Sequence, residues 1–245
     1  MESRNPVFSK RLFERAREDL IGSGSMTVGG TVYKTFVMLV LLIGGAAYTW
    51  YRFDQGYDVY GIMIAGVVLG LIAALVTSFV PKVAFITAPL YAIFEGLALG
   101  AISAAFDAEY PGIVLNAVLI TVGTLFAMLL LYVTRIVKVT PSFRTGIIMA
   151  TFAIMLVYVF DFILGFFGVN VPFIHESGLI GIGISLFVVV IAALNLLLDF
   201  DFIEQGASYG APKQTEWYGA FGLMVTLVWL YLEVLKLLSK FAKRD

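Results

Sequence analysis

Three carboxylates follow directly after a long uncharged run, and they are the side chains best placed to act on an ion. The run extends from Leu179 to Leu198, and Asp199, Asp201 and Glu204 come soon after it. A carboxylate at the edge of an apolar helix must find water, a cation or a partner. The sequence therefore predicts either a solvated helix end or a gate that responds to cations or protons.

Other charged side chains interrupt other apolar runs. Glu95 lies near the middle of its run, where a charge costs at least about 2.5–3.5 kcal/mol. It is expected to be protonated and hydrogen-bonded to a neighbouring helix, or paired with a cation such as Lys236. Glu233 and Lys236 are three residues apart and can pair locally on one helix face, and Asp161 has no partner evident from the sequence. Glu95, the deepest acid, is a second candidate for an ion path.

The composition places these acids in a membrane. The chain has 245 residues, 60% of them hydrophobic and 13% charged, about half the charged fraction of soluble domains. A net charge of −1 without a dense basic tract argues against nucleic acid as a partner. The absence of cysteine and the single histidine, His175, which is expected in a solvated loop, argue against a stable metal site. No cofactor is expected.

Seven apolar segments are each near the length of about 20 residues that a helix needs to cross a bilayer. Their runs are continuous rather than alternating, which favours helices over a barrel. We predict an all-α membrane domain over residues 31–245, preceded by a polar arm over residues 1–30. Residues 10–20 of the arm have amphipathic spacing, typical of a surface helix, although a solvated arm is equally consistent. The predicted spans are 32–51, 61–80, 83–106, 113–134, 146–168, 179–198 and 217–238.

Lysine and arginine in the short loops predict the orientation. The arm and the loops after the second, fourth and sixth spans hold most of them, whereas Arg52 is alone in the loops of the other side. The N-terminus is therefore predicted to be cytoplasmic. The basic tail from Lys236 to Arg244 conflicts with this, because seven crossings place it outside. We expect the seventh segment to cross rather than re-enter, because the first helix usually dominates orientation.

The glycine pairs indicate helix packing, and the sequence lacks the motifs of common enzyme classes. The spacing of Gly66 with Gly70 and of Gly96 with Gly100 predicts closely packed helices and no chemistry. Neither Asp161 nor Asp199 lies in a Gly-x-Gly-Asp sequence, and the chain has no phosphate-loop or dinucleotide fingerprint. We therefore do not expect an enzyme.

Four stretches of the chain resemble the Bax inhibitor family (transmembrane Bax-inhibitor-motif, YccA-like). That family has an aspartate closing its sixth helix and an isoleucine four residues later, which Asp199 and Ile203 match. The third-helix glycine motif and the final helix are similar as well, and the start of the chain is similar to a bacterial branch. The matching stretches are Glu95-Gly-Leu-Ala-Leu-Gly100, Leu198–Glu204, Ala220–Lys236 and Asn5-Pro-Val-Phe8.

The resemblance implies a seven-helix fold with the last helix surrounded by the others. It also implies a latch of two aspartates, on the last two helices, over a calcium-permeable leak path. Asp199 matches the first aspartate, whereas Thr226 stands at the second and cannot ionise. A shared proton between two carboxylates is thus not expected, although Asp201 or Glu95 could supply the second acid. Lys236 stands where the family often has a basic residue, so contacts with Glu95 or Asp199 are plausible.

Three functional hypotheses follow. The first is a bacterial inner-membrane cation leak, with calcium as the transient ion and with Asp199, Asp201 and Glu95 attracting or gating it, since acidic oxygen sites suit hard cations. The second is a non-conducting regulator of another membrane protein, such as a membrane protease. The third is a proton-coupled transporter, although the sequence has no evident paired repeat of broken helices. The lipid bilayer is a partner in all three.

Overall fold

The computed structural model describes residues 24–168 and 176–244. Within these residues seven helices are long and apolar enough to cross a membrane, which confirms the predicted all-α, seven-span fold. His175 and the amphipathic part of the arm lie outside the described residues. The helices are α1 (Val28–Asp54), α2 (Tyr60–Phe79), α3 (Ala84–Glu109), α4 (Ile113–Val133), α5 (Pro141–Phe166), α6 (Leu179–Ser208) and α7 (Thr215–Ala242).

Several helices extend beyond their apolar runs because polar residues cap them or continue the hydrogen-bond ladder. The Thr27 hydroxyl accepts a hydrogen bond from Gly30 N at 2.9 Å and caps α1. Thr140 caps α5 in the same way, with Pro141 in the first turn, where proline costs no hydrogen bond. The largest difference is in α6, which continues to Ser208. Asp199 therefore lies about 13 Å before the end of its helix, well inside it rather than at its edge.

The seventh helix is the centre of the bundle. Of its most apolar stretch 56% is buried, against 11–44% for the other spans. It packs on α1, α3, α4 and α6, and Tyr158 of α5 reaches it through a hydrogen bond to Glu233. It is also one uninterrupted helix, as expected of a crossing segment rather than a re-entrant one. A central position explains why α7 carries polar groups that would be costly on a lipid-facing helix.

Glycines let three helices approach closely. On α3, a Cβ added at Gly96 would overlap the Leu42 carbonyl of α1, and one added at Gly100 would overlap the Ala46 carbonyl. A Cβ at Gly66 of α2 would lie 2.7 Å from the Phe94 carbonyl oxygen of α3. These contacts confirm that the two glycine pairs serve packing, which in a bilayer replaces the hydrophobic effect as the force holding helices together.

An ion pair ties α1 to α7 on the side where the described chain begins. Lys34 of α1 pairs with Glu216 in the first turn of α7, and that carboxylate also accepts hydrogen bonds from Thr27. The Glu216 side chain is only 1% exposed and that of Lys34 is 13% exposed. A buried pair of this kind fixes the lateral position of α7 against α1, because neither charge has another counter-ion within the described residues.

A side chain at Gly100 is expected to separate α1 from α3. Gly100→Ala should destabilise the protein by about 1–3 kcal/mol, the usual cost of overpacking, and lower its thermal unfolding midpoint in detergent. Gly123→Ala is the matched control, because a Cβ at Gly123 of α4 meets nothing within 4 Å. Equal midpoints for the two variants would show that the close approach of α1 and α3 is not needed.

Removal of one partner from the buried pair is expected to cost more than removal of both. Lys34→Met should destabilise the protein by about 3 kcal/mol, because Glu216 is left without its cation. The double variant Lys34→Met with Glu216→Leu should recover part of that loss. Arg135→Met is the control, since Arg135 forms an exposed pair with Glu204 of a kind that contributes little. Thermal unfolding that ranks the control as the least stable would contradict the role given to Lys34.

Candidate functional site

Asp199 lies in the seam between α6 and α7, against a position where α7 has no side chain. A Cβ built on Gly222 would lie 3.7 Å from Asp199 Oδ1, an ordinary contact distance, so the carboxylate lies directly against this position of α7. The Thr226 hydroxyl lies one turn further along α7 and interacts with the same carboxylate. The structure thus brings together Asp199 and Thr226, the pair that the sequence placed on the last two helices.

One oxygen of the Asp199 carboxylate has no hydrogen-bond donor among the described residues. Asp199 Oδ2 is buried and has no hydrogen-bond partner within the part of the chain that the structure describes. The Thr226 hydroxyl has only one proton to donate, and it also lies 3.2 Å from the Gly222 carbonyl oxygen, to which it can donate. A buried acceptor without a donor costs about 1–3 kcal/mol. The seam therefore presents an oxygen able to take a proton or a cation.

Asp201 is two residues further on and points to a different helix. It pairs with Arg144 of α5, and Gln205 Nε2 donates to the same oxygen at 2.7 Å. Residues two apart on a helix do not face one another, which separates Asp201 from the seam. Asp201 therefore does not form a second acid facing Asp199, one of the two substitutes that the sequence left open.

Glu204 holds the end of α6 in a similar way. Its carboxylate pairs with Arg135 and accepts a hydrogen bond from the Tyr132 hydroxyl at the end of α4. Together, Arg144 and Arg135 neutralise the two acids that follow Asp199, so the acidic cluster read from the sequence divides into one seam carboxylate and two ion-paired ones.

Glu95 occupies another interface. Its Oε2 would lie 3.1 Å from a Cβ on Gly70, so the carboxylate faces α2 rather than α6. The seventh helix packs on both α3 and α6. Among the described residues no hydrogen bond or ion pair joins Glu95 to Asp199 or Lys236. Glu95, the other possible substitute for the missing aspartate, therefore does not contact Asp199 either.

Glu233 and Lys236 belong to the opposite end of α7. Lys236 Nζ lies 3.2 Å from Glu233 Oε1, and the Tyr158 hydroxyl donates to Oε2 at 3.0 Å. This confirms the local pair and corrects the expected contacts of Lys236 with Glu95 or Asp199. Glu233 follows Thr226 by seven residues, or about 10 Å along the helix, so this pair is separate from the Asp199 site.

A polar cavity of about 400 Å³ adjoins this second cluster, and Asp161 is one of its lining residues. Lys240, which is buried, donates there to the Gly181 carbonyl at 3.0 Å and to Ser185 Oγ at 2.8 Å. These bonds allow a lysine to remain inside the helix bundle near its edge. They account for the burial of Lys240, one of the basic residues of the tail.

Sequence reasoning missed the Lys34–Glu216 pair and the role of Arg144. A signal for the pair was present, since both residues lie near the start of an apolar segment. With seven crossings, the starts of the first and seventh segments meet at the same side of the membrane. Opposite charges at those two starts could have predicted the contact. For Arg144 no comparable signal existed, because its distance from Asp201 depends on how α5 packs against α6.

The comparisons with known proteins identify a family for this chain. A family model described as Bax inhibitor 1 like matches residues 5–243, which is nearly the whole chain. No curated protein and no solved structure matches the chain. Because the match to the family model covers nearly the whole chain, the chain belongs to the Bax inhibitor 1 like family.

Proposed function

We propose that this membrane protein provides a leak path for cations, calcium in particular, with Asp199 as the group that attracts the ion. The observation that carries the proposal is the buried, unpartnered Oδ2 of Asp199 in the α6–α7 seam. Carboxylate oxygens suit calcium, and Asp199 supplies one that has no donor among the described residues. The choice of calcium comes from the resemblance to the family.

The site suits passage of an ion better than its storage. No group of three His, Asp or Glu side chains able to hold a metal ion occurs in residues 24–168 and 176–244. A calcium ion takes six to eight oxygen ligands, so water would complete its shell at a single carboxylate. Conduction requires binding that is weak enough for the ion to leave, and one carboxylate meets that requirement.

The ion pairs beyond Asp199 act as the closing elements in this proposal. Arg144 with Asp201 holds α6 against α5, and Lys34 with Glu216 holds α7 against α1. An ion that moves past Asp199 toward that side meets carboxylates that are already neutralised. Opening would require these pairs to separate, and gating would follow the movement of α6 relative to α7. Glu95 would serve as a second carboxylate on another face of the bundle.

Asp199→Asn is expected to lower calcium flux into dye-loaded proteoliposomes by about tenfold or more. The variant loses the attraction between the carboxylate and the ion, which for unit charges about 4 Å apart is about 4 kcal/mol at an effective dielectric constant of about 20. A tenfold change corresponds to about 1.4 kcal/mol, so loss of even part of this attraction would produce it. Asp58→Asn is the matched control, because Asp58 is an exposed residue of the α1–α2 loop. Glu95→Gln is compared in the same assay.

The protein content and folded fraction of each vesicle preparation are measured first, so that a change in flux reports the ion path. Unchanged flux in Asp199→Asn, in Glu95→Gln and in the double variant would contradict the acid-lined path. No flux above that of empty vesicles, with the wild-type protein folded, would favour the non-conducting regulator.

Thr226→Asp is expected to change how flux depends on pH. Two carboxylates in contact titrate as a coupled pair in two steps, whereas the native seam has one acid and one hydroxyl. The pH profile of calcium flux should therefore broaden from one transition to two, while Thr226→Asn should keep a single transition. Identical profiles in all three proteins would show that residue 226 does not act on the permeating ion or its gate.

A further inference from the structure

A deep apolar crevice between α1 and α4 has no role in the proposed leak. It has a volume of about 790 Å³, and its walls come from α1, α3, α4 and α7. Several wall residues are exposed, among them Ile43 at 55%, Val118 at 41% and Val122 at 43%. These side chains flank the opening from two helices that both cross the membrane. The crevice is therefore continuous with the lipid-facing surface.

The dimensions of the crevice fit a lipid chain lying along the helices. Its lining on α1 extends from Leu39 to Asp54, a distance of about 22 Å at 1.5 Å per residue. The hydrocarbon of one leaflet is about 15 Å thick, half of the bilayer core. A chain that enters from the leaflet can thus lie within the crevice over its whole length. The Ser103 and Tyr231 hydroxyls inside it bond to each other at 2.6 Å, so they need no ligand.

One end of the crevice is suited to a polar headgroup. Trp50, Tyr51 and Asp54 line it near the end of α1, and tryptophan and tyrosine are the residues enriched at the level of lipid headgroups. Asp54 is the one charged side chain among the lining residues. Its carboxylate repels an anionic headgroup and attracts an ammonium group. The crevice thus combines an apolar slot with a negatively charged mouth.

We propose that this crevice binds one acyl chain of a membrane phospholipid whose headgroup carries an amine. The chain lies between α1 and α4, against α3 and the central α7, and the ammonium group lies at Asp54. Because α7 forms one wall of the crevice and one side of the Asp199 seam, a bound lipid would contact the same helix that the proposed leak uses. The lipid site does not depend on whether the protein conducts ions.

Photolabelling tests this site directly. The full chain is placed in nanodiscs with trace phosphatidylethanolamine or phosphatidylglycerol, each with a photoreactive group on the acyl chain, and labelled peptides are mapped by mass spectrometry. Labelling is expected to concentrate on the crevice walls of α1 and α4. Phosphatidylethanolamine should label roughly two- to fivefold more than phosphatidylglycerol, the size expected of an ion pair in a hydrated setting, and Asp54→Asn should remove that preference.

Filling the crevice provides the matched variants. Ala47→Phe and Val118→Phe should each abolish labelling of the crevice walls, whereas Ala65→Phe, at an exposed position of α2, should leave it unchanged. Size-exclusion chromatography identifies any variant that fails to fold. If one of the two filling variants fails, the labelling of the other tests the site. Labelling spread evenly over all lipid-facing helices, or labelling that survives crevice filling, would overturn the site. Equal labelling by the two lipids would overturn the assignment of an amine.

Discussion

The cost of placing a carboxylate in hydrocarbon is the constraint on which this structure depends. Most acids in or near the spans are held by a cation, a hydroxyl or a backbone donor. Glu216 has Lys34, Asp201 has Arg144, and Glu233 has Lys236. The carboxylate of Asp199, by contrast, has one buried oxygen without a donor in the described part of the chain. Among the three acids of this stretch, Asp201 and Glu204 are ion-paired, so Asp199 is the one without a cation among the described residues.

The central position of α7 makes that arrangement compatible with a membrane. A helix surrounded by others can carry glutamates and lysines that lipid would not tolerate. Its Gly222 lies against the Asp199 carboxylate, and its Glu216 and Glu233 hold its two ends to α1 and α5. The glycines of α2 and α3 let α1, α2 and α3 pack backbone against backbone. The packing of α7 at the centre of the bundle is thus what allows its charged side chains to be buried.

The fold was predictable from the sequence because the bilayer sets the length of an apolar helix, and seven runs of that length cannot form a soluble core. The contacts between side chains were harder to predict from the sequence. The local Glu233–Lys236 pair followed from spacing on one helix, and the Asp199–Thr226 contact came from the resemblance to a family. Contacts that join distant helices, such as Arg144 with Asp201, depend on the rotation of each helix about its axis, which apolar sequence hardly specifies. The same holds for the crevice between α1 and α4.

The central claim, that a cation engages the free oxygen of Asp199, has a direct spectroscopic test. Infrared difference spectra of the protein in lipid, with and without calcium, report changes in the carboxylate stretching bands. The account predicts a calcium-dependent band that is present in the wild-type protein and in Asp58→Asn and is lost in Asp199→Asn. Identical difference spectra for the wild-type protein and Asp199→Asn would contradict it, because calcium would then bind without the Asp199 carboxylate.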